Sequence, residues 1–308
     1  MNLLHRSPAP FPETIRRGVI AVGNFDGVHQ GHRCLIERLC SLAKAVGRPS
    51  IVFTFDPSPA ELLYPGHVPP ALTWMERRAA LLHRLGVDIV IAFPTTKELL
   101  ELTASQFFET VLIEQLGACG LVEGPNFRFG KGRDGDVRFL QRKCNEFKIP
   151  LEIVQPQNVD GVLISSSRIR NDIMRGEMES ANRFLLEPYR MIGRVSQGAQ
   201  RGRQLGFPTA NLEAIPVLVP PSGVYAGRAY VGDNIHRAAI HIGPNPTFEE
   251  SQPKVEVHII DFSGDLYGTR LEVDLLARLR GVQKFESVDA LLNQLRSDIA
   301  AARTVEES

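Results

Sequence analysis

Residues Gly18 to Arg33 read GVIAVGNFDGVHQGHR. An apolar run, Val19 to Val22, ends at Gly23, and two more glycines then break regular structure. His29 and His32 arrive as a helical pattern begins at Cys34, Leu35, Leu39, Leu42 and Val46. This is the grammar of a buried strand, a tight turn and a helix whose first turn carries imidazoles. A helix N-terminus presents unpaired N–H groups and partial positive charge, which suits phosphate, and residues three apart share one helix face. Three readings compete: ordinary surface histidines, a metal pair, and a nucleotide-phosphate clamp. A zinc site needs a third protein ligand at a readable spacing, and none follows nearby. The strand–glycine–helix context favours the clamp.

The same alternation runs outward through the first half. Ser50 to Phe55, Val87 to Phe93, Cys119 to Glu123 and Leu151 to Gln155 read as buried strands. Met75 to Leu85, Ser105 to Leu116 and Val137 to Phe147 read as helices, the second opened by a Thr103-Ala-Ser-Gln106 capping box. Alternating units imply an α/β doubly wound parallel sheet, in which ligands bind beyond the carboxyl ends of the strands. Every candidate motif of this half falls at such an end.

Lysine plus arginine equals aspartate plus glutamate, 35 each, in 308 residues. That balance argues against a general nucleic-acid binder. No apolar run approaches membrane-spanning length, and MNLLHRSPAPFPE lacks the apolar core of a secretory signal. Cys34, Cys40, Cys119 and Cys144 form no CxxC pair, so reduced thiols and a cytoplasmic chain are expected.

Three strand-end segments carry chemistry. Asp56-Pro57-Ser58-Pro59 is a loop stiffened by two prolines. Gly124 to Asp136, GPNFRFGKGRDGD, departs from a P-loop, because five residues rather than four precede Gly130-Lys131 and Gly132 follows. It is either an apolar plug or a glycine-rich loop whose Phe127, Arg128 and Phe129 bury a planar ring, with Asn126 hydrogen-bonding the ring edge. Ile164 to Arg170, ISSSRIR, is either a set of N-cap serines or a triphosphate site completed by arginines.

The helical pattern from Ile169 to Leu186 stops at Glu187-Pro188, where short alternating strands begin: Met191 to Ser196, Gly223 to Val231, Arg237 to Ile242, Lys254 to Phe262 and Leu271 to Leu275. These predict a compact antiparallel barrel over residues 187–308, after a first domain over 1–186. Glu286 to Thr304 reads as one amphipathic helix packed on the barrel. Arg201 to Leu212, RGRQLGFPTANL, reads as a turn with small polar residues. Glu256 lies on the strand face opposite Val255 and Val257, where an exposed acid is the plain reading.

GNFDGVHQGH resembles the HxGH signature of nucleotidylyltransferases, in the form found in bacterial bifunctional riboflavin kinase/FAD synthetases, and the resemblance spans nearly the whole chain. It implies a Rossmann-like domain that binds ATP through Gly23, Asn24, Phe25, Asp26 and Gly27, with His29 and His32 catalytic. The GPNF loop resembles the family's flavin-binding loop, implying Asn126, Phe127 and Phe129 as flavin contacts together with Asp56. The proline loop differs from the family's Asp/Glu-Pro-His-Pro by Ser58. ISSSRIR resembles SSTxxR, implying Ser166, Ser167 and Arg170 as ATP-phosphate ligands. GFPTAN matches the riboflavin kinase signature, implying ATP at Gly206, and ATP and Mg²⁺ at Thr209 and Asn211. Glu256 then matches the catalytic base for the ribityl 5′-hydroxyl. GPNPTF (Gly243 to Phe248) and DLYG (Asp265 to Gly268) also resemble family segments. LRGVQKF (Leu279 to Phe285) keeps Arg280 as a flavin contact but has Gly281 and Val282 where proline and glutamate are common.

The resemblance therefore implies two reactions: phosphorylation of riboflavin to FMN, and adenylylation of FMN to FAD with release of pyrophosphate. The serine–arginine segment is expected to close on the triphosphate held by the histidines. Small-molecule substrates, Mg²⁺, and a monomer or weak homo-oligomer without nucleic-acid or membrane partners complete the expectation. A monofunctional enzyme with one degenerate half, or a non-catalytic flavin sensor, are the alternatives.

Overall fold

The computed structural model describes residues 3–6, 10–155, 158–159, 161–197, 202, 205–244, 247 and 253–305. Within the motifs above, Arg201, Arg203, Gln204, Asn245, Pro246 and Phe248 lie outside the described residues. The chain divides into two compact units, Met1–Pro69 with Trp74–Ser165, and Pro70–Thr73 with Ser166–Ser308.

The first unit is built on six parallel strands: β1 (Leu3–His5), β2 (Val19–Val22), β3 (Ser50–Asp56), β4 (Ile89–Pro94), β5 (Gly120–Glu123) and β6 (Leu151–Ile153), in the order β1-β4-β3-β2-β5-β6. Residues 19 to 22 are all buried, and so are 50 to 54, because helices cover both faces of such a sheet. The chain winds from β2 to β3 and β4 on one side, then returns to β5 and β6 on the other. The topological switch point therefore lies between β2 and β5, where the outward connections diverge and leave a crevice. Both the histidine turn after β2 and the GPNF loop after β5 open there.

Helix α1 (Gln30–Ala45) follows β2, α2 (Pro59–Leu63) and α3 (Met75–Arg84) follow β3, and α4 (Lys97–Glu101) follows β4. The segment expected as one helix from Ser105 begins as α5 (Ala104–Gln106), capped by Thr103 and Gln106, and runs on with π-helical turns over Phe107–Gln115. Helix α6 (Val137–Phe147) lies where expected and is capped by Asp136. The edge strand β1 carried too short an apolar signal to read; its pairing with β4 defines it.

A two-stranded hairpin, β7 (Asn158–Val159) and β8 (Val162–Leu163), precedes α7 (Ser166–Arg175). The helical run read through to Leu186 breaks at Gly176, φ +77°, and resumes as α8 (Met178–Phe184). Helix α8 packs on strand β14 (Arg270–Arg280), so by packing both helices belong to the second unit.

That unit is a closed barrel of β9 (Arg190–Ser196), β10 (Ala210–Glu213), β11 (Gly223–Val231), β12 (Asn234–Gly243), β13 (Lys254–Ile259) and β14, in the order β10-β13-β12-β11-β14-β9. Strand β10 corrects the reading of GFPTANL as a turn: ladder bonds to β9 and β13 make Ala210–Glu213 a strand. The last helix, α9 (Val288–Thr304), starts at the N-cap Ser287 and lies over β11, β12 and β14. Ala302 and Ile299 meet Ala226 and Ala239 there, small residues that let the helix approach closely.

Candidate functional sites

The first candidate site is the turn between β2 and α1. Gly23 N–H donates to Phe53 O at 3.0 Å, and the turn then passes through positive φ at Phe25 (+48°), Gly27 (+86°) and Val28 (+38°). Positive φ is a strained backbone for phenylalanine and more so for a β-branched valine, and such strain persists only where the surroundings over-determine it. Part of the surroundings is Asp26, buried and paired with Arg78 of α3 at 3.2 Å, the two side chains each 8% exposed. Burial lowers the Arg78 pKa, and Asp26 and Asp56 oppose that.

His29 is the N-cap residue of α1, and the two imidazoles stack at 3.7 Å between centroids, 14° from parallel. His29 N–H donates to His32 Nδ1 at 3.3 Å, which assigns the His32 proton to Nε2. His29 Nδ1 is buried with no hydrogen-bond partner among the described residues. Burial pulls the His29 pKa down to about 4, and burial together with the charges of His29 and Arg78 pushes that of His32 well below its ordinary value. Both rings are therefore neutral near pH 7, so they meet an anion as hydrogen-bond donors, and the buried cation of the turn is Arg78. Gly31 leaves room for this arrangement: a Cβ there would sit 3.1 Å from His29 Nδ1 and 3.2 Å from its Cε1.

Across the switch point, Glu123 ends β5 and is 2% exposed. Its Oε1 accepts from Val22 N–H at 2.8 Å, and burial raises its pKa well above the usual carboxylate range. This bond ties the last residue of β2 to the start of the GPNF loop, at a place where burial disfavours the charged carboxylate. Within that loop Phe129 is drawn into the core by its antiparallel bridge to Gly135 and stands 6.0 Å from both Phe107 and Phe139. Phe127 stacks on it at 5.2 Å and stays half-buried, while Asn126 is exposed. The plug and the ring-binding readings thus divide between Phe129 and its two neighbours. Asn126 also lines an open cleft of about 400 Å³ with Arg128, Arg133, Asp136 and Arg138. Asp56 is exposed at the end of β3, and Ser58 is the N-cap of α2, its N–H donating to Glu61 at 3.2 Å.

In the second unit, Ser166 and Ser167 occupy the first turn of α7, and Arg170 Nε donates to Pro70 O at 3.3 Å. Arg168 turns instead to Asp172 at 3.5 Å and lies over the Phe184 ring at 5.5 Å.

The barrel brings a row of residues together. Glu256 of β13 faces Asn211 of β10 on one side and His241 of β12 on the other, and His241 faces Val224, which faces Arg280. Directly opposed residues of antiparallel strands project from the same face, so the row is one surface. Val255 and Val257 are buried and Glu256 is half-buried, as the alternation predicts. Thr209 immediately precedes β10, and Gly206 stands at φ +85° in an exposed turn. The hydroxyl of Thr209 and the amide oxygen of Asn211, next to a carboxylate, are the hard donors that Mg²⁺ takes while keeping several waters. His241 Nε2 donates to Pro244 O at 3.2 Å, and burial lowers its pKa against the pull of Glu256.

Three residues of these sites escape a sequence reading. Glu123 left a trace, an acid at the end of an apolar strand; Arg78 and His241 left none, because helix packing and strand register bring them in.

Residues 11–168 match the FAD synthetase family and residues 185–306 the riboflavin kinase family. A bifunctional riboflavin kinase/FMN adenylyltransferase from Pseudomonas fluorescens is 38% identical over 291 residues, covering 94% of this chain and 93% of the relative. The Escherichia coli K12 protein of the same name is 35% identical over 286 residues, covering 92% and 91%. A solved structure from Streptococcus pneumoniae, described as a macrolide-efflux protein, superimposes with a TM-score of 0.87 at 32% identity, covering 98% of this chain and 99% of that one. That description belongs to the Streptococcus protein. No helix among the described residues of this chain is long and apolar enough to cross a membrane.

Proposed function

Because the chain belongs to the bifunctional riboflavin kinase/FMN adenylyltransferase family, we propose that it performs its two reactions at two separate sites. The chain phosphorylates riboflavin with ATP to give FMN, and adenylylates FMN with a second ATP to give FAD and pyrophosphate. The observation that carries the two-site reading is that each unit holds its own chemistry-bearing set. The stacked His29–His32 pair stands at the sheet's switch point, and Glu256 stands between Asn211 and His241 on the barrel. The two activities belong to the segments 11–168 and 185–306 that match the two families, and we place the domain limits at 1–186 and 187–308, with α7 and α8 packing on the second unit.

At the barrel, Glu256 takes the proton of the ribityl 5′-hydroxyl as that oxygen attacks the γ-phosphorus of ATP, and ADP departs. Thr209 and Asn211 hold Mg²⁺ and the phosphates, with Gly206 giving the turn its close approach. When bound, Mg²⁺ neutralises charge on the transferring phosphoryl group. Arg280 serves the flavin side.

At the sheet, the FMN phosphate attacks the α-phosphorus of ATP and pyrophosphate departs, with no covalent enzyme intermediate. His32 Nε2–H and His29 donate to phosphate oxygens, and the Gly23 to Gly27 backbone lines the nucleotide; by the family resemblance Ser166, Ser167 and Arg170 are ATP-phosphate ligands. Asp56, Asn126 and Phe127 meet the flavin, with Phe129 backing Phe127. The catalysis is positioning plus stabilisation of phosphate charge. Four cysteines without a disulfide support a cytoplasmic enzyme, acting as a monomer or weak homo-oligomer on small molecules.

Two variants test the division. His32→Ala should abolish FAD formation from FMN and leave riboflavin phosphorylation intact, and Glu256→Gln should do the reverse. Loss of both activities in either variant contradicts separate sites.

A further inference from the structure

The strand row that holds Glu256 ends at Arg280, whose guanidinium is engaged by its own chain along both edges. Nε donates to Asp298 Oδ1 at 3.0 Å and Oδ2 at 3.2 Å, Nη2 donates to Oδ2 at 2.7 Å, and Nη1 donates to Gly281 O at 3.0 Å. Asp298 is 4% exposed on the barrel side of α9, and Gln294, one turn earlier, donates to its Oδ1 at 2.9 Å. A guanidinium held this way also presents its flat face in one direction. Its Cζ lies 5.7 Å from the centroid of the Phe285 ring, within range of a cation–π contact. Phe285 N–H is held in turn by Thr247 Oγ1 at 3.3 Å. The segment from Gly281 to Phe285 is thus fastened at both ends, and one fastening is made from the C-terminal helix.

We propose that Asp298 is a positioning residue of the riboflavin kinase reaction: it locks the Arg280 guanidinium in the plane that carries Phe285, and so fixes the loop that meets the flavin. The proposal rests on the reading that Leu279 to Phe285 contacts riboflavin. A forked, charge-assisted pair to a buried carboxylate holds a guanidinium in one orientation, which a single neutral bond does not. Riboflavin then meets an ordered loop, and no binding energy goes into ordering it.

The test uses the full-length protein with riboflavin, Mg²⁺ and ATP, comparing Asp298→Asn, Asp298→Glu, Phe285→Leu and the Asp298→Asn/Phe285→Leu double variant. Asp298→Asn should raise the KM for riboflavin about tenfold while kcat and the KM for Mg·ATP change less than about threefold. Phe285→Leu should raise the riboflavin KM similarly, the double variant should be no worse than the worse single one, and Asp298→Glu should recover part of the loss. Riboflavin phosphorylation at saturating riboflavin, with kcat near the wild-type value, reports that the barrel of each variant is folded. Should Asp298→Asn fail to fold, Gln294→Ala removes one bond to the carboxylate without unpairing a charge, and it should raise the riboflavin KM alone. An unchanged riboflavin KM in Asp298→Asn (or in Gln294→Ala, where that variant stands in) beside a raised one in Phe285→Leu overturns the proposal and spares the flavin reading. Additive effects, or equal damage to the Mg·ATP KM, also overturn it. An unchanged KM in Phe285→Leu overturns the flavin reading itself.

Discussion

Acidification should weaken the first unit by an amount that one histidine sets. His29 is pulled by burial from an ordinary 6.5 to about 4 in the folded protein. The unfolded chain takes up this proton below pH 6.5 while the folded chain refuses it until about pH 4, so stability is lost as pH falls through that window. At about 1.4 kcal/mol per tenfold in proton affinity, the full loss is about 3 kcal/mol below pH 4, and about 1.4 kcal/mol is lost by pH 5.5. His32 adds a loss of the same sign, since burial lowers it too. Glu123 works the other way: its raised pKa means that its contribution is lost as pH rises from the ordinary carboxylate value and is regained on acidification. Comparison with His29→Asn cancels the Glu123 contribution, and it leaves His32 with the burial and Arg78 parts of its shift but without the part that His29 adds. Asparagine is also a favoured N-cap, which suits that position. The single tryptophan, Trp74, begins the Trp74–Ser165 part of the same unit, so its fluorescence in a urea titration reports the right transition. Between pH 7.5 and 5.5 the wild type should lose about 1.4 kcal/mol more than the variant. Equal losses would mean that His29 is not held neutral, and the account of the imidazoles as uncharged donors would fail with it.

Two further outcomes follow from the same turn. Gly31→Ala gains about 1 kcal/mol of helix propensity, yet its methyl meets the His29 ring. Thermal unfolding should show little or no loss, while FAD formation from FMN falls on the order of tenfold to a hundredfold and riboflavin phosphorylation holds. Arg78→Met removes the cation that pairs with the buried carboxylate of Asp26 and should destabilise the first unit by about 3–5 kcal/mol in urea titration, with FAD formation lost. A variant of normal stability and activity would remove Arg78 from the account.

What was legible in the sequence was what local pattern carries. The apolar run before Gly23, the capping box at Thr103 and the alternation around Glu256 each specify an element or a face within a few residues, and those elements stand where the pattern places them. Short pieces defined by partners were not legible. β1 and β10 are strands because β4, β9 and β13 supply their hydrogen bonds. The break at Gly176 was hidden, because a helical pattern resumes within two residues at Met178. In the sites, the motif residues could be named from spacing and resemblance, but their protonation could not. The lowered histidine pKa values and the raised one of Glu123 are consequences of burial, and burial is a property of the folded sheet. The partners of Asp26 and Arg280, Arg78 on α3 and Asp298 on α9, come from elsewhere in the chain and carry no local signature.

The central claim is that one chain makes FMN at its barrel and FAD at its sheet. The direct measurement incubates the purified wild-type protein with riboflavin, ATP and Mg²⁺ and resolves riboflavin, FMN and FAD over time. FMN should appear first and FAD after it, with pyrophosphate released in step with FAD. Accumulation of FMN without FAD, or no product at all, would contradict the account.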